Sequence, residues 1–274
     1  MLGTHFSCNG ILSKTDKAFI NLDDIEFSYG FGVYENIRLR NDKLYFPDKH
    51  AERLIDSAKI IKLKHGFTKK NVEQWIKDLI KKNKIPTANI KILLIGDKDP
   101  DKARLYIILL APSYPDKKIY KQGVAVSSRV YERFLPQAKT LNMLPSYLFF
   151  REAREKKAYD MLLADSKGCL LEGTRSNIFL IKDKILYTPP LDKVLNGVTR
   201  QTVIDCAKQN GYKIKEQNIK LNKIFDFEGA FLTNTSGKIV PIRTIDQKSF
   251  SSITPEIQNL IRLYDQYLRK QFLI

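Results

Sequence analysis

Residues 136–142 read PQAKTLN and residues 171–177 read LEGTRSN, and these two stretches decide how the chain is interpreted. Lys139 is a single cation among small and apolar residues, at the start of a new structural segment. Such surroundings can remove water from an amine and make it nucleophilic. Most lysines of this chain have no such setting, so the interpretation of Lys139 depends on the residues that accompany it.

The composition is that of a soluble globular protein. The chain has 274 residues, of which 43% are hydrophobic and 28% are charged. This length allows one large domain or two ordinary ones, each with its own core. The sequence contains no apolar run of about eighteen residues, and its start does not resemble a signal peptide. We therefore expect no association with a membrane.

The cysteines and histidines show no metal-binding pattern. The three cysteines include no CxxC pair, and the three histidines lack the spacing of metal ligands. We expect reduced thiols, a cytoplasmic location and no bound metal. An enzyme with this sequence would use an organic cofactor or its side chains alone.

The net charge of +17 is large enough to suggest a nucleic-acid partner. However, the lysines are scattered singly and in pairs, without a Gly/Arg-rich tail or an RNP-like aromatic motif. This distribution favours a solvated lysine-rich surface, and we expect no nucleic-acid partner. A positive field would also attract small phosphorylated or carboxylated ligands.

Hydrophobic periodicity predicts alternating strands and helices in two domains, 1–116 and 117–274, because residues 112–118 contain breakers. The alternation in residues 33–40 predicts a strand with two different faces. One face would carry Val33, Glu35, Ile37 and Leu39, and the other Tyr34, Asn36, Arg38 and Arg40. Asp48 is the expected N-cap of a helix over residues 50–62. Further helices are predicted over 70–82, 146–157, 199–209 and 254–271. Strands are predicted over 90–95, 105–110, 124–130, 161–164, 169–172, 178–181, 185–187 and 230–232.

Two glycine-containing turns are suited to an anion. NGVTR at 196–200 begins a helix whose first amides can bind phosphate, and TNTSG at 233–237 adds hydroxyl groups. Taken singly, each turn is equally typical of a helix cap or a loop. Arg53, one turn after His50, could meet a phosphate or a surface carboxylate.

These features together suit pyridoxal phosphate. A lysine would hold its aldehyde as a Schiff base, and a carboxylate would keep the pyridine nitrogen protonated. Amides, hydroxyls and an arginine would bind its phosphate.

The same residues resemble the class IV aminotransferases, the fold-type IV pyridoxal-phosphate enzymes. The resemblance covers nearly the whole chain through an ordered set of motifs: YGFGVYENIR, HAERL, KTLNMLPSYL, LEGTRSNIF, NGVTR and LTNTSGKIVPI. It implies a two-domain α/β fold, with a small N-terminal α/β domain and a larger C-terminal domain built around a barrel-like sheet. It also implies pyridoxal 5′-phosphate as cofactor, amino acids and keto acids as substrates, and a homodimer.

The resemblance further implies roles for individual residues. Lys139 matches the Schiff-base lysine, which also moves the proton between the substrate Cα and the cofactor C4′. Glu172 matches the carboxylate that faces the pyridine nitrogen. The phosphate would be bound by Arg53, Val198, Thr199, Thr235 and Ser236, in part through backbone amides. The substrate pocket would contain Tyr34, Asn36 and Arg38.

The motifs leave the substrate open. The spacing in KTLN is similar to D-amino-acid transaminases and to 4-amino-4-deoxychorismate lyase. The arginine–histidine clamp of well-known D-amino-acid transaminases is missing, since residues 109–114 read LLAPSY. Asn36 stands where the lyase often has threonine and branched-chain enzymes have glycine.

Our first hypothesis is therefore a transaminase acting on a D- or branched-chain-type amino acid and a 2-oxo acid. The alternative is the lyase, which releases pyruvate and 4-aminobenzoate. A third hypothesis is a catalytically silent binding protein that retains the fold.

Overall fold

The computed structural model describes residues 1–21 and 23–272, and this part of the chain divides into two compact units. The first unit comprises Met1–Ser113 and Ala138–Met143, and the second comprises Tyr114–Gln137 and Leu144–Ile274. The predicted domains 1–116 and 117–274 stay a prediction, because compactness alone does not show which part folds by itself. Within the described residues, no helix is both long and apolar enough to cross a membrane.

The first unit is built on one antiparallel sheet. Its strands are β1 (His5–Cys8), β2 (Ile11–Lys14), β3 (Gly32–Arg40), β4 (Lys43–Leu44), β5 (Ala88–Ile95) and β6 (Arg104–Leu110), and its helices are α1 (Ile25–Ser28), α2 (Pro47–Ile60) and α3 (Lys69–Asn83). The strand order is β2-β1-β6-β5-β3-β4, and neighbouring strands run antiparallel. The strands predicted over residues 90–95 and 105–110 and the helix over 70–82 are confirmed within one or two residues.

The predicted two-faced strand is also confirmed. Val33, Ile37 and Leu39 of β3 have no exposed surface and pack into a core that α2 and α3 cover. Burying three such side chains contributes roughly 2 kcal/mol each. The prediction of Asp48 as N-cap is wrong. Helix α2 begins at Pro47, whose fixed φ suits the first helical position and whose missing N–H needs no partner there.

The second unit is built on a mixed sheet. Its strands are β7 (Val124–Val130), β8 (Asp160–Ala164), β9 (Leu170–Gly173), β10 (Asn177–Lys182), β11 (Ile185–Thr188), β12 (Lys213–Glu216), β13 (Gly229–Asn234), β14 (Lys238–Ile245) and β15 (Lys248–Ser249). Its helices are α4 (Ile119–Gln122), α5 (Leu144–Glu155), α6 (Val198–Gln209) and α7 (Pro255–Phe272). The order is β12-β11-β10-β13-β14-β7-β8-β9, with β15 beside β14. The parallel pairs are β11–β12, β14–β7 and β7–β8.

Strands β8, β9 and β10 form a largely buried stretch of chain that carries several polar side chains. Cys169 to Ile181 is buried apart from Arg175, and α6 packs against β13 of the same sheet. A strand that is apolar on both faces is typical of a sheet covered on both sides. Polar side chains inside this run therefore need partners within the protein.

Candidate active site

Lys139 is fixed by its backbone in the first unit. Its carbonyl accepts from Tyr34 N at 2.9 Å, and its own amide donates to Ser57 Oγ at 3.1 Å. Two residues later, Leu141 N donates to Gly32 O at 2.9 Å. A Cβ at Gly32 would lie 2.6 Å from Leu94 O and 2.7 Å from Leu141, so only glycine allows this close approach. The segment therefore pairs with β3 through a single antiparallel bridge, between Thr140 and Val33.

The Lys139 amine lies over an aromatic face. Its Nζ is 4.4 Å from the centroid of the Tyr34 ring, and both side chains are half-buried. An ammonium at this distance is attracted by the ring quadrupole, and the contact restricts a long, flexible side chain. The amine is thus held in one place while it stays accessible.

A buried ionic cluster lies close to Lys139 in the same unit. Glu35, on the apolar face of β3, has no exposed surface. Arg53 donates to it from Nε at 2.6 Å and from Nη2 at 2.8 Å, and His50 Nδ1 lies 2.8 Å from its Oε2. We call Glu35, His50 and Arg53 the buried triad. The bidentate pairing fixes the plane of the guanidinium group, as expected for arginine and carboxylate.

The charges of the buried triad are set by burial and by mutual contact. Burial alone would raise the pKa of Glu35, but Arg53 and His50 hold it well below its usual value. Burial lowers the pKa of His50, against the opposing effect of Glu35, and the positive charges of Arg53 and Lys139 lower it further. Glu35 is therefore a carboxylate, and we take His50 as neutral with Nδ1–H donating to it.

Glu172 is held by three donors in the second unit. Arg133 Nη1 donates to its Oε1 at 2.8 Å, and Leu195 N donates to Oε2 at 3.1 Å. Asn177 Nδ2 lies 3.4 Å from the same Oε2 and donates to Leu195 O at 2.8 Å. The carboxylate is 4% exposed. Because cationic and amide donors favour the ionised form, this surrounding keeps a fixed negative charge at the end of β9.

Asp160 organises the turn that follows Glu172. This buried carboxylate accepts from Met161 N at 2.8 Å, from Ser176 Oγ at 2.7 Å, and from both the amide and the hydroxyl of Thr174. Gly173 N donates to Ser176 O at 2.7 Å and closes the turn. Residues 173–176 are therefore held tightly although they lie outside regular structure.

The two glycine turns offer donors to an anion. Gly197 precedes α6 and has no side chain to cap the first amides of the helix, those of Val198 and Thr199. A Cβ at Gly197 would lie 2.1 Å from Asn177 Oδ1. In the other turn, Thr235 and Ser236 are half-buried. The Thr233 hydroxyl beside this turn is buried without a hydrogen-bond partner among the described residues.

The residues predicted for the site fall into two sets. Lys139, Tyr34, Asn36, Arg38 and Arg53 lie in the first unit, and Glu172, Val198, Thr199, Thr235 and Ser236 lie in the second. On the strand face that carries Tyr34, Asn36 is half-buried opposite Lys91 of β5. Arg38 is buried, with its guanidinium carbon 5.6 Å from the Tyr45 ring.

The partners of these residues were not predicted from the sequence. The signal for the buried triad was a glutamate at an apolar position of an alternating strand, followed by a histidine and an arginine one helical turn apart. Arg133 and Asp160 gave no comparable signal. Among the described residues, no group of three or more histidine, cysteine, aspartate or glutamate side chains could hold a metal ion.

Comparisons with known proteins identify the family. Residues 32–245 match the model of the amino-transferase class IV family. The probable branched-chain-amino-acid aminotransferase of Rickettsia conorii is 33% identical over 280 residues, which cover 97% of this chain and 95% of the relative. The D-alanine aminotransferase of Bacillus licheniformis is 28% identical over 256 residues, covering 90% of each chain.

Solved structures show the same fold. The branched-chain amino acid aminotransferase of Thermobaculum terrenum, in its PLP form, superposes with a TM-score of 0.86 at 23% identity, covering 99% of this chain and 94% of that one. The branched-chain aminotransferase of Thermoproteus uzoniensis with norvaline gives 0.86 at 26% identity, covering 97% and 94%. The predicted fold-type IV architecture is thereby confirmed.

The residues of this chain fit pyridoxal 5′-phosphate. They provide an accessible amine on an aromatic face, a carboxylate kept ionised, and amide and hydroxyl donors at two turns. These are the three kinds of group that its aldehyde, its ring nitrogen and its phosphate require. The chain belongs to the class IV aminotransferases, and it is an aminotransferase that uses pyridoxal 5′-phosphate.

Proposed function

We propose that the chain moves the amino group of a branched-chain amino acid to a 2-oxo acid, and that Lys139 is the residue that carries the cofactor. The observation that supports this role of Lys139 most directly is the placement of its amine over Tyr34, with its carbonyl held by β3 and its amide held by Ser57 of α2. Branched-chain specificity is supported by the Rickettsia conorii relative, which matches over almost its whole length.

When bound, pyridoxal 5′-phosphate supplies an aldehyde carbon and a ring that accepts electrons. Lys139 Nζ would move the proton from the substrate Cα to the cofactor C4′, and in the opposite direction in the second half of the transfer. Glu172, kept ionised by Arg133, holds a proton on the ring nitrogen. The first amides of α6 and the hydroxyls of Thr235 and Ser236 bind the phosphate.

Arg53 completes the proposed phosphate site. Its Nε and Nη2 edge is occupied by Glu35, so the pairing aims the Nη1 side of the guanidinium away from that carboxylate. A guanidinium group held in a fixed plane suits a phosphate. The pocket residues Tyr34, Asn36 and Arg38 stay proposals as substrate contacts.

A D-amino acid is the second candidate substrate. The KTLN spacing and the relationship to the Bacillus licheniformis D-alanine aminotransferase support it. The missing arginine–histidine clamp argues against it. The lyase alternative is not favoured, because the relatives described above are aminotransferases. The catalytically silent alternative is set aside for the same reason.

We also propose a homodimer, supported by an exposed apolar face on α5. Leu144, Tyr147 and Leu148 are 65%, 57% and 48% exposed, and their spacing places them on one side of the helix. A contiguous apolar face of this kind marks a surface that is covered by a partner. Light scattering should give twice the monomer mass, and Leu148→Glu should lower it. The cytoplasmic location stays a prediction.

Borohydride reduction tests the role of Lys139. Purified protein supplied with pyridoxal 5′-phosphate should be yellow, and reduction should leave a pyridoxyl group on the peptide that contains Lys139. Lys139→Ala should be colourless, whereas Lys121→Ala, which changes an exposed lysine of α4, should behave as the wild type. A wild type that stays colourless, or a pyridoxyl group found on another lysine, would contradict the assignment.

A substrate panel separates the candidates. The holoenzyme is assayed with L- and D-leucine and with L- and D-alanine, using 2-oxoglutarate as acceptor. Turnover of L-leucine above both alanine enantiomers supports branched-chain specificity, and turnover of D-alanine above L-leucine contradicts it. Release of 4-aminobenzoate from 4-amino-4-deoxychorismate in the absence of a 2-oxo acid acceptor would support the lyase alternative.

A further inference from the structure

The hydroxyl group of Thr233 is buried without a partner. Thr233 lies in β13 and is 1% exposed, and its Oγ1 has no hydrogen-bond partner within residues 1–21 and 23–272. Thr188 of β11 is buried to the same extent, but its hydroxyl donates to Ile178 O at 2.8 Å. A buried polar group without a partner costs free energy, so its presence in a folded protein needs an explanation.

The alternation of side chains along β13 shows which face of the sheet carries this hydroxyl. Ala230 and Leu232 belong to the apolar core on one face. Phe231 and Thr233 alternate with them and therefore lie on the opposite face. There the Phe231 ring stacks on the Phe179 ring, with 5.2 Å between the ring centroids.

The start of α6 lies on the same face as Thr233. Asn177 of β10 is the direct strand partner of Thr233, so both side chains point to one face, with Cβ atoms about 4.5–5.5 Å apart. The Asn177 side chain extends to Gly197, since a Cβ there would lie 2.1 Å from Asn177 Oδ1. Gly197 has no side chain that could cap the first amides of α6. The hydroxyl of Thr233 is therefore one side chain away from the start of the helix.

Thr233 is also the first residue of the TNTSG turn. Asn234 Oδ1 accepts from Gly237 N at 2.6 Å, which closes this turn. The turn contains the half-buried Thr235 and Ser236. Thr233 thus connects the turn, along the chain, with the start of α6, across the sheet.

The surroundings of Thr233 suit an anion with several oxygen atoms. The amides at a helix start can only donate, and the helix dipole favours negative charge there. A hydroxyl group that donates to a charged oxygen forms a stronger bond than one that donates to a neutral acceptor. A phosphate group has several such oxygens, so it can accept from the amides and from Thr233 at the same time.

We propose that the hydroxyl of Thr233 donates a hydrogen bond to the phosphate group of the cofactor. The proposal deepens the proposed function and rests on it, because it takes the start of α6 and the TNTSG turn as the phosphate site. The unpaired hydroxyl then lowers the stability of the chain without cofactor and strengthens the binding of the phosphate.

Two ligands that differ only in the phosphate group test this role. The full-length chain, freed of cofactor, is titrated with pyridoxal 5′-phosphate and with pyridoxal, and each dissociation constant is measured by absorbance. Thr233→Val removes the hydroxyl and keeps the shape of the side chain. It should weaken binding of pyridoxal 5′-phosphate about 10-fold, as expected for one lost hydrogen bond to a charged group, and leave binding of pyridoxal unchanged. Thr233→Ser keeps the hydroxyl and should bind both ligands as the wild type does.

Thermal unfolding without cofactor gives an independent readout. Thr233→Val should raise Tm by about 2–4 °C, because valine removes an unpaired buried hydroxyl and fills the same space. Thr188→Val is the matched control, since it removes a buried strand hydroxyl that has a partner. This control should lower Tm by a similar amount and keep the wild-type ratio of the two dissociation constants.

Two results would overturn the role of Thr233 while leaving the cofactor assignments intact. One is a Thr233→Val protein with the wild-type ratio of the two dissociation constants. The other is a Thr233→Val protein whose Tm without cofactor falls as far as that of Thr188→Val, since its hydroxyl would then be paired within the protein. If Thr233→Val does not fold, Thr233→Ala decides, and an undiminished ratio overturns the proposal. A wild type that fails to bind pyridoxal 5′-phosphate would instead refute the proposed function, and the role of Thr233 would fall with it.

Discussion

Replacing Glu35 by glutamine tests the buried triad directly. The side chain keeps its shape but loses the charge that three donor atoms of Arg53 and His50 share, at 2.6, 2.8 and 2.8 Å. Glu35 has no exposed surface, so water cannot replace the lost interaction. The variant leaves the Arg53 charge without its counter-charge in a buried position.

The expected loss of stability follows from these contacts. Removing one partner of a buried ion pair costs about 3–5 kcal/mol. Glutamine still offers one acceptor oxygen to Arg53, so we expect a value near the lower limit, about 3 kcal/mol. For a chain of this size, each kcal/mol lowers Tm by roughly 2–4 °C, which gives a decrease of about 6–12 °C.

Trp75 provides a local probe. It is the only tryptophan of the chain. Its ring meets the Phe67 ring edge-on, with 5.7 Å between the ring centroids, and it packs against the core of the first unit. Thermal unfolding is followed by its fluorescence at a fixed concentration of pyridoxal 5′-phosphate, since bound cofactor raises apparent stability. Glu52→Gln is the control, because Glu52 pairs with Lys69 on the surface at 3.5 Å and should change stability by less than about 1 kcal/mol.

The same variant tests the orientation of Arg53. If Glu35 aims Arg53 at the phosphate, Glu35→Gln should weaken binding of pyridoxal 5′-phosphate by about 10-fold, the size of one charge-assisted bond. Binding of pyridoxal, which lacks the phosphate, should change little. If Glu35→Gln has the same Tm as the Glu52→Gln control and binds the cofactor as tightly as wild type, the proposed role of the buried triad is refuted.

Three substitutions and one labelling experiment probe other features. Glu172→Gln should keep the cofactor but lower kcat about 100-fold, because a neutral amide cannot hold the ring nitrogen protonated; unchanged turnover would contradict its role. Gly197→Ala would place a Cβ 2.1 Å from Asn177 Oδ1, so a higher dissociation constant for pyridoxal 5′-phosphate is expected, and an unchanged constant would argue against this turn as the phosphate site. Burial lowers the pKa of His50 in the folded protein, so as pH falls below about 6.5 the unfolded chain takes up the proton before the folded one does. The free energy of unfolding therefore decreases below that pH, by up to about 1.4 kcal/mol per pH unit. In urea titrations from pH 7.5 to 5, His50→Asn should show a smaller slope than wild type, and an equal slope would refute the neutral state of His50. Burial raises the pKa of Cys206 to about 11, so iodoacetamide should label it at least about 100-fold more slowly than an ordinary thiol in the native protein, and rapid labelling would contradict its burial.

Regular structure was largely predictable because it depends on local patterns. The alternation in β3 predicts which side chains are buried, and the helical spacing of Val72, Ile76 and Leu79 predicts the face of α3 that enters the core. The ordered motifs also predicted the family, the cofactor and the fold, all of which the comparisons confirm.

Contacts between distant residues were less predictable. The sequence shows Glu35 at an apolar position of β3, but only the fold brings His50 and Arg53 to it. Arg133 reaches Glu172 across 39 residues of chain, and Asp160 reaches Thr174 and Ser176 across 14 and 16. Single-sequence periodicity carries no information about such pairs. Helix α2 begins earlier than predicted, at Pro47, because proline suits the first helical position better than Asp48 suits the N-cap.

The attachment of residues 138–143 to β3 also bears on how the protein matures. Ser57, which accepts from the Lys139 amide, lies 82 residues earlier, and contacts of such separation close slowly because the intervening loop must lose entropy first. Until that segment arrives, the backbone of Gly32 and Tyr34 presents an open strand edge, which invites pairing with other chains. The segment that delivers the amine also covers this edge. Under the proposed role of Lys139, the ability to take up the cofactor and the protection of this edge against aggregation are acquired in the same folding event.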